Sequence, residues 1–363
     1  MRYKLKDLVA LKYGKSQKSV EDNKNGKYPI LGTGGIIGYA KEPLYNKPSV
    51  LIGRKGTIDK IRYVDSPFWT IDTLFYTEIN TDLINPQYLY YRLLDVDFKN
   101  LNEGTTIPSL RTQTLYEIEL EIDDIQTQNK IVDILAVIDK KIKQNTHTNN
   151  NLYAIGKALY QEYFENEKYT RNYETKQLSD VTTNNRNKID QSKEYKVLSA
   201  INTGNLVLSD DYFDKQVYSK DIGKYLNVNK YDFAYNPARI NIGSIGLNTF
   251  NFNCCVSPVY VTFSVDKDYI DFFDFYFKSK KFNAEVTLRA SGSVRQALNY
   301  NDLGMIEIPY PTKEMIDKFN NSYKTLKERI NINKIKIRNL EQLRDTLLPK
   351  LMNGEIDLGK VKI

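Results

Sequence analysis

The sequence predicts an α+β fold in which two similar domains are separated by two long helices that pair as an antiparallel coiled coil. Two observations predict it. Long segments match each other at a fixed shift along the chain, and each matching segment ends in an unbroken helical pattern of apolar residues. At 363 residues, the chain is long enough for two domains with separate cores. We therefore expect an internal repeat with approximate two-fold symmetry.

The repeat becomes visible when the chain is shifted by 188 positions. "GTTIPSLRTQTLYEIELEI" from Gly104 then lies over "GSVRQALNYNDLGMIEIPY" from Gly292 without a gap. Identical pairs include Leu110 with Leu298, Leu115 with Leu303, Ile118 with Ile306, Glu119 with Glu307, Ile142 with Ile330 and Asn145 with Asn333. The predicted regions are a first variable domain (residues 1–124), a central helix (125–166), a second variable domain (167–312) and a C-terminal helix with its tail (313–363).

Strand signals fill both variable domains. Alternating or β-branched runs bounded by turn residues predict strands in "YPILGTGGIIGYA", "SVLIGRKGTIDKIRYV" and "TIDTLFYTEI", and in "KVLSAINTGNLVL" and "CCVSPVYVTFSV". Two aromatic stretches, "PQYLYYRLL" from Pro86 and "DFFDFYFKSKKF" from Asp271, are predicted to be short helices that cover a core. The adjacent Cys254 and Cys255 are expected to be small buried side chains, since sequence neighbours rarely satisfy disulfide geometry.

The polar stretch "QNTHTNNN", Gln144–Asn151, resembles a loop between two helices. However, the 3-4 spacing of seam positions passes through it without a change of phase, and the matching part of the second repeat is strongly helical. We therefore predict one continuous helix of about 35 residues, or ~50 Å, in each repeat. The predicted seam consists of Ile131, Leu135, Ile138, Ile142, Asn145, Asn149, Leu152 and Leu159 in the first helix, and Leu326, Ile330, Asn333, Ile337, Leu340 and Leu347 in the second.

Asn145 and Asn333 fall near the middle of their helices, so antiparallel pairing would bring them close together. One hypothesis is a buried polar pair, which costs stability and fixes the register of the helices. The other is that both side chains face solvent at a loosened midpoint. The sequence leaves both open.

Composition points to a nucleic-acid partner without requiring one. The net charge is +7, and the chain has 28 Tyr and 15 Phe. Lys and Arg neutralise phosphates, whereas Asn, Gln and Tyr form hydrogen bonds with backbone or base edges. A low-GC genome would produce a similar enrichment in Lys, Asn, Tyr and Ile. With no long apolar run and no signal-type N-terminus, we expect a cytoplasmic protein.

The candidate DNA-binding residues are polar or basic and lie in loops next to predicted strands. Arg pairs bidentately with guanine and Asn with adenine, while Lys, Ser and Thr more often hold phosphate. For each of them, a solvated surface role is an equal alternative. The set is Lys15, Lys18, Thr33, Arg54, Lys55, Thr105, Thr106 and Arg111 in the first domain, and Asn184, Arg186, Lys188, Asn236, Arg239, Ser291, Ser293 and Arg295 in the second.

Motifs for catalysis are missing or incomplete. "NPAR" from Asn236 keeps half of an amino-methyltransferase motif, and "LGTGGIIG" from Leu31 lacks the Lys-Ser/Thr of a phosphate-binding loop. Those glycines form a tight turn or allow close approach of the backbone to DNA. "EYK" from Glu194 resembles a nuclease triplet by chance, and the single histidine, His147, has no partner for a zinc site. We expect no catalytic residue, no metal and no cofactor on this chain.

The repeat, the Gly-led segment before each long helix and the ending "LRDTLLPKLMNGEI" from Leu343 resemble the specificity subunit of type I restriction-modification systems. The resemblance covers essentially the whole chain. It implies two target-recognition domains that each bind one half of a split, asymmetric site in double-stranded DNA. It also implies a non-catalytic scaffold for two adenine methyltransferase subunits and two ATP-dependent restriction subunits, with S-adenosylmethionine, ATP and Mg²⁺ bound by those partners and no membrane contact.

One departure from the family pattern concerns the start of the first helix. "DDIQTQNK" from Asp123 stands where the family commonly has Pro-Leu-x-Glu-Gln, and Asp123 and Gln128 are the expected helix-starting residues. The second repeat keeps Pro311 in "YPTKEMIDK". The alternative from another class is a non-catalytic coiled-coil scaffold that binds protein or RNA.

Overall fold

The computed structural model describes residues 1–171, 173–213, 216–289 and 297–358. The chain forms two compact units. The first unit is Met1–Thr146 with Lys334–Ile363, and the second unit is His147–Asn333. Each unit therefore combines one variable domain with a part of both long helices. The limits of the four predicted regions remain a prediction.

The predicted runs account for most strands of the first unit, but three strands, Arg2–Lys4, Val9–Tyr13 and Glu119–Glu121, lie outside them. Its helices are α1 (Leu5–Leu8), α2 (Pro86–Leu94), α3 (Thr112–Tyr116) and the first part of α4 (Ile125–Phe164). Its strands are β1 (Arg2–Lys4), β2 (Val9–Tyr13), β3 (Tyr28–Gly32), β4 (Gly35–Ala40), β5 (Ser49–Gly53), β6 (Arg62–Val64), β7 (Trp69–Thr70), β8 (Leu74–Ile79) and β9 (Glu119–Glu121).

The second unit contains the remaining elements. Its helices are the second part of α4, α5 (Glu167–Thr170), α6 (Leu178–Val181), α7 (Ser209–Tyr212), α8 (Ile270–Tyr276), α9 (Lys280–Arg289), α10 (Tyr300–Gly304) and the first part of α11 (Lys313–Met352). Its strands are β10 (Glu174–Gln177), β11 (Thr182–Asn185), β12 (Lys196–Ile201), β13 (Asn205–Leu208), β14 (Leu226–Val228), β15 (Phe233–Tyr235), β16 (Ile245–Leu247), β17 (Cys254–Val256), β18 (Val261–Val265) and β19 (Glu307–Tyr310).

The two units have similar sheet topologies, although the second sheet has three strands in the first unit and four in the second. An antiparallel four-stranded sheet has the order β2-β8-β5-β6 in the first unit and β11-β18-β15-β16 in the second. A second sheet contains a hairpin and one parallel pair in each unit, β3 with β7 and β12 with β17. The first and last strands pair as β1-β9 and β10-β19. The fold repeat therefore extends into the parts of the variable domains that precede Gly104 and Gly292, where the sequences do not match.

Individual hydrogen bonds show the same correspondence. The backbone N–H of Leu5 donates to the carbonyl of Ile118 at 2.8 Å, and that of Leu178 donates to Ile306 at 2.9 Å. Leu5 and Leu178 are both fully buried at the start of a short helix. Ile118 and Ile306 are partners in the sequence repeat, so each unit closes its first and last segments in the same way.

The aromatic stretches predicted as short helices are helices with a buried face. Tyr88 and Tyr91 of α2 are fully buried in the first unit, and Phe273 and Phe282 of α8 and α9 are fully buried in the second. The predicted covering role is therefore confirmed. Cys254 and Cys255 are buried, unpaired residues of β17, as expected.

The long helices are continuous. Gln144–Asn151 lies inside α4, and α4 and α11 are 40 residues each, slightly longer than predicted. Every predicted seam position is buried or half-buried in the structure. The hydrophobic period, and not the poor local helix propensity of Asn and Thr, therefore decided the outcome. Among the described residues, no helix combines the length and the apolar character that a membrane crossing requires.

In the second unit the helices run antiparallel. Asn149 contacts Asn333, and farther along α4 Tyr163 packs against Phe319, which comes earlier in α11. The side-chain amide of Asn333 donates to the side-chain oxygen of Asn149 at 3.0 Å. The hypothesis of a buried amide pair is therefore right in kind, but the partner of Asn333 is Asn149, about one turn beyond Asn145.

In the first unit, a polar cluster lies between the helices. Arg344 of α11 forms an ion pair with Asp139 of α4 at 3.3 Å, and the hydroxyl of Tyr91 donates to the same carboxylate at 2.6 Å. Arg344 and Asp139 side chains are only about a quarter exposed. Ile131 and Leu135 pack with Leu348 and Leu351 in the adjoining core.

The start of α4 differs from the expectation. Asp124 caps the helix, because its carboxylate accepts hydrogen bonds from the backbone N–H groups of Gln126 and Thr127 at 3.0 Å. Asp123 instead accepts a 2.7 Å hydrogen bond from the Tyr88 hydroxyl. Gln128 is fully buried and its side-chain oxygen accepts from the N–H of Asn85. Asp123 and Gln128 therefore join α4 to the domain and do not start the helix.

Candidate nucleic-acid interface

One edge of the main sheet collects the candidates of the first unit. Strands β2 and β5 both run antiparallel to β8, so they end at the same edge. Lys15 follows β2, while Arg54 and Lys55 follow β5. The guanidinium carbon of Arg54 lies 5.1 Å from the centre of the Tyr13 ring. This contact links the end of β2 to the end of β5.

Three loops meet at this edge. The N–H of Gly56 donates to the carbonyl of Pro108 at 2.9 Å, and the N–H of Leu110 donates to the carbonyl of Arg54 at 3.0 Å. A Cβ on Gly56 would lie 4.0 Å from the hydroxyl of Thr33, at the tip of the β3–β4 hairpin. We call Lys15, Thr33, residues 54–56 and residues 104–109 the first loop face.

The first loop face is cationic. Within the described part of the chain, Lys15, Arg54 and Lys55 form no ion pair, and Lys15 and Lys55 are exposed. Arg111 differs because its guanidinium lies 3.1 Å from the carboxylate of Glu103. Lys18 is exposed three residues beyond Lys15. The three uncompensated cations suit contact with phosphates or guanine.

The loop before α3 is held in a fixed shape. The side-chain oxygen of Asn102 accepts hydrogen bonds from the N–H groups of Gly104 and Ser109, both at 2.9 Å. Thr105 and Thr106 lie between those two anchors and are exposed. Their hydroxyl groups are therefore presented to solvent on the first loop face.

The second unit gathers its candidates at the corresponding edge. Strands β11 and β15 both run antiparallel to β18, so Arg186 and Lys188 after β11 and Asn236 and Arg239 after β15 leave the sheet at one edge. Asn184 lies within β11 and is exposed. Arg186, Lys188 and Arg239 are exposed and form no ion pair with any described residue.

Loops also meet at this second edge. The side-chain oxygen of Asn236 accepts from the N–H of Ala238 at 3.1 Å, and the N–H of Leu298 donates to the carbonyl of Pro237 at 3.0 Å. Leu298 is the repeat partner of Leu110, so the same loop junction occurs in both units. We call residues 184–188, 202–205 and 236–243 the second loop face. The candidates Ser291, Ser293 and Arg295 lie outside the described residues.

Hairpin tips belong to both loop faces, and our sequence search had largely missed them. A Cβ on Gly243 would lie 2.9 Å from the carbonyl oxygen of Asn202, so the tip of the β12–β13 hairpin contacts the loop after β15. Asn202, Thr203 and Asn205 are exposed there. The sequence signal that could have located this hairpin tip is the strand-turn-strand pattern around Gly204. Gly204 adopts a φ of +77°, a left-handed turn conformation that glycine favours.

The glycine-rich stretch from Leu31 forms a turn. Thr33 and Gly34 connect β3 to β4, and Gly35 adopts a φ of +124°, which L side chains rarely adopt. The tight-turn alternative is therefore confirmed. Close approach of this backbone to DNA remains a prediction.

No group of His, Cys, Asp or Glu residues within the described ranges is arranged to hold a metal ion. Burial raises the pKa of the Cys254 thiol to about 11 and that of Cys255 to about 12, which keeps both protonated at neutral pH.

Comparisons with known proteins agree with these features. The family model for the type I restriction modification DNA specificity domain matches residues 1–154. The type I restriction enzyme MjaIX specificity subunit of Methanocaldococcus jannaschii is 22% identical over 86% of this chain and 78% of its own length. The chain belongs to the family of type I restriction-modification specificity subunits.

Further matches to specificity subunits extend the agreement. The HindI specificity subunit of Haemophilus influenzae is 32% identical over 24% of this chain and 20% of its own. The crystal structure of the type I S subunit from M. genitalium covers 97% of this chain and 95% of its own, with a TM-score of 0.55 and 17% identity. That structure supports the fold. The chain is thus a DNA-specificity subunit, and the scaffold binding protein or RNA is not favoured.

Proposed function

We propose that each unit of this specificity subunit binds one half of a split, asymmetric site in double-stranded DNA. The observation that carries the proposal is the repeated fold with different loop chemistry. In each unit, corresponding loops meet at the corresponding edge of that unit's main sheet. The first loop face carries Lys15, Arg54 and Lys55, whereas the second carries Asn236 and Arg239. Different side chains at corresponding places recognise different bases.

The proposed partners follow from the family. Two adenine methyltransferase subunits and, in the full complex, two restriction subunits would assemble on this chain. Specificity subunits are non-catalytic, and we propose that this chain binds no cofactor of its own. S-adenosylmethionine, ATP and Mg²⁺ would then belong to the partner subunits. Transfer of methyl groups by the purified chain alone would contradict this assignment.

The direct experiment is to express the full chain with its cognate methyltransferase subunits in a host that lacks adenine methylation. Mapping the methylated adenines should give one motif of two unlike parts separated by a spacer of fixed length. An undivided motif or an absence of methylation, when the complex assembles normally, would contradict the proposal.

Substitutions on the loop faces assign each part of the motif. The double variant Arg54→Ala, Lys55→Ala should weaken recognition of one part only, and Asn236→Ala should weaken the other. A bidentate side-chain contact with a base contributes about 1–3 kcal/mol of discrimination. Lys27→Ala is the matched control, because Lys27 is an exposed lysine that precedes β3, at the opposite end of the hairpin from its tip.

Salt dependence separates DNA binding from protein binding. Affinity for the mapped duplex should fall steeply as salt rises, because each phosphate contact releases counterions. Replacing Lys15 should reduce the slope of log K against log salt by ~0.9 if Lys15 neutralises one phosphate. An interaction that ignores salt and competitor DNA would favour the protein-binding scaffold instead.

A further inference from the structure

Two exposed isoleucines lie at the tip of the β3–β4 hairpin. Ile36 is 60% exposed and Ile37 is 48% exposed, directly after the turn at Thr33 and Gly34. Exposing large apolar side chains forgoes the favourable free energy of burial. They lie beside Thr33 of the first loop face, which raises the question of what they contact there.

Contacts with other residues of the first unit hold the hairpin tip in place. A guanidinium nitrogen of Arg62 donates to the carbonyl oxygen of Thr33 at 3.2 Å, and Arg62 is half-buried. A Cβ on Gly32 would lie 3.4 Å from both Ile37 and Ile71 side-chain carbons, which leaves little free space behind the tip. The two isoleucines therefore follow a turn that is held in a fixed position.

Cationic residues lie in the loop next to the hairpin tip. The hydroxyl of Thr33 lies beside Gly56, which directly follows Arg54 and Lys55. A further isoleucine, Ile107, is 60% exposed in the neighbouring loop of the same face. Exposed apolar side chains next to a cationic loop suit a DNA groove, in which phosphates line the walls and thymine methyl groups supply the apolar feature of the floor.

The corresponding hairpin of the second unit has a different tip. β12 and β13 occupy the position of β3 and β4, since each hairpin has a parallel neighbour, β17 or β7. Its exposed tip residues are Asn202, Thr203 and Asn205. Amide and hydroxyl side chains can form hydrogen bonds with base edges, whereas isoleucine cannot. Apolar and amide chemistry therefore occupy equivalent places in the two units.

We propose that Ile36 and Ile37 are specificity-determining residues of the first unit, which contact thymine methyl groups in the major groove. A two-stranded β-ribbon fits that groove, and the thymine methyl is its apolar feature. The pairing of β3 with β4 shifts here, with Leu31 opposite Ile36 and Ile30 opposite Gly38, so Ile37 is an extra residue in a bulge and two successive isoleucines are exposed at the tip. The proposal rests on the proposed DNA-binding function.

The decisive probe is a duplex carrying the motif mapped for the wild-type complex, with deoxyuridine in place of every thymine in one half at a time. This change removes only the C5 methyl groups. Binding of the wild-type complex should weaken about fourfold for each methyl group that is lost from a buried contact in the half read by the first unit. The Ile36→Ala, Ile37→Ala variant should bind about tenfold more weakly than wild type and lose this sensitivity to deoxyuridine. Equal sensitivity in wild type and variant, or none in either, would overturn the proposal.

Motif mapping provides the second arm. The double isoleucine variant should relax the preference at one part of the motif and leave the other part, the spacer and the salt slope unchanged. Ile155→Ala is the control, since Ile155 is 50% exposed on α4. A wild-type complex without a two-part motif would refute the proposed function. A two-part motif that is identical in the variant would refute this inference alone.

Discussion

The side chains of the half-buried Asn149 and the buried Asn333 form an amide pair across the helix seam of the second unit. Asn333 is 2% exposed and donates to Asn149 at 3.0 Å, while the Asn149 amide reaches the carbonyl oxygen of Ile330 at 3.4 Å. Apolar seam residues flank the pair in α11, where Ile330 is buried and Leu326 half-buried. The pair therefore selects one register among several that the apolar seam would allow.

Asn333→Leu should destabilise the chain, because the amide of Asn149 would keep its partial burial and lose its partner. The expected loss is about 1–3 kcal/mol. The double variant Asn149→Leu, Asn333→Leu should recover most of it, since neither polar group is then left unsatisfied. Calorimetric melting of the full chain measures both, with the exposed Asn331→Leu as control. A double variant as unstable as the sum of the singles would contradict this account.

Gly156→Ala should destabilise the second unit. A Cβ at this position would lie 2.5 Å from the Tyr323 ring and 3.1 Å from Phe275. Overpacking costs about 1–3 kcal/mol, and the better helix propensity of alanine returns up to about 1 kcal/mol. Asn150→Ala, at an exposed position of the same helix, receives the propensity gain without the clash. Thermal melting should therefore move in opposite directions for the two variants.

The helical part of the fold was predictable because a seam leaves a period in the sequence. The spacing of Ile131, Leu135 and Ile138 indicates this helical period, and the second repeat shows that the period continues through the Asn-rich stretch. Asn149 as the partner of Asn333 was not predictable, because a shift of one turn preserves the apolar pattern. In the candidate site, polar residues at strand ends were found from their type. Ile36 was missed, since an exposed isoleucine and a buried one look the same in a sequence.

Asp139→Ala should destabilise the first unit more than Asp345→Ala does. Both carboxylates contact Arg344, at 3.3 Å and 2.9 Å respectively, but only Asp139 also accepts from the Tyr91 hydroxyl. The Asp139 side chain is 25% exposed and that of Asp345 is 64% exposed. An exposed ion pair contributes about 0–1 kcal/mol, whereas leaving partly buried donors without an acceptor costs about 1–3 kcal/mol. Equal melting temperatures for the two variants would count against a structural role of the Tyr91–Asp139–Arg344 cluster.

Cys254 and Cys255 should resist thiol reagents in the folded chain. Both side chains are fully buried, and burial raises the pKa of the Cys254 thiol to about 11 and that of Cys255 to about 12. The thiolate is the reactive form, so at pH 8 both access and ionisation oppose the reaction. Titration with an aromatic disulfide should detect no rapid thiol in the native chain and two after denaturation. Ser16→Cys, at an exposed loop position, is the positive control and should react at once. Rapid native labelling at the rate of that control would show that β17 opens readily, contrary to its place in the buried core of the second unit.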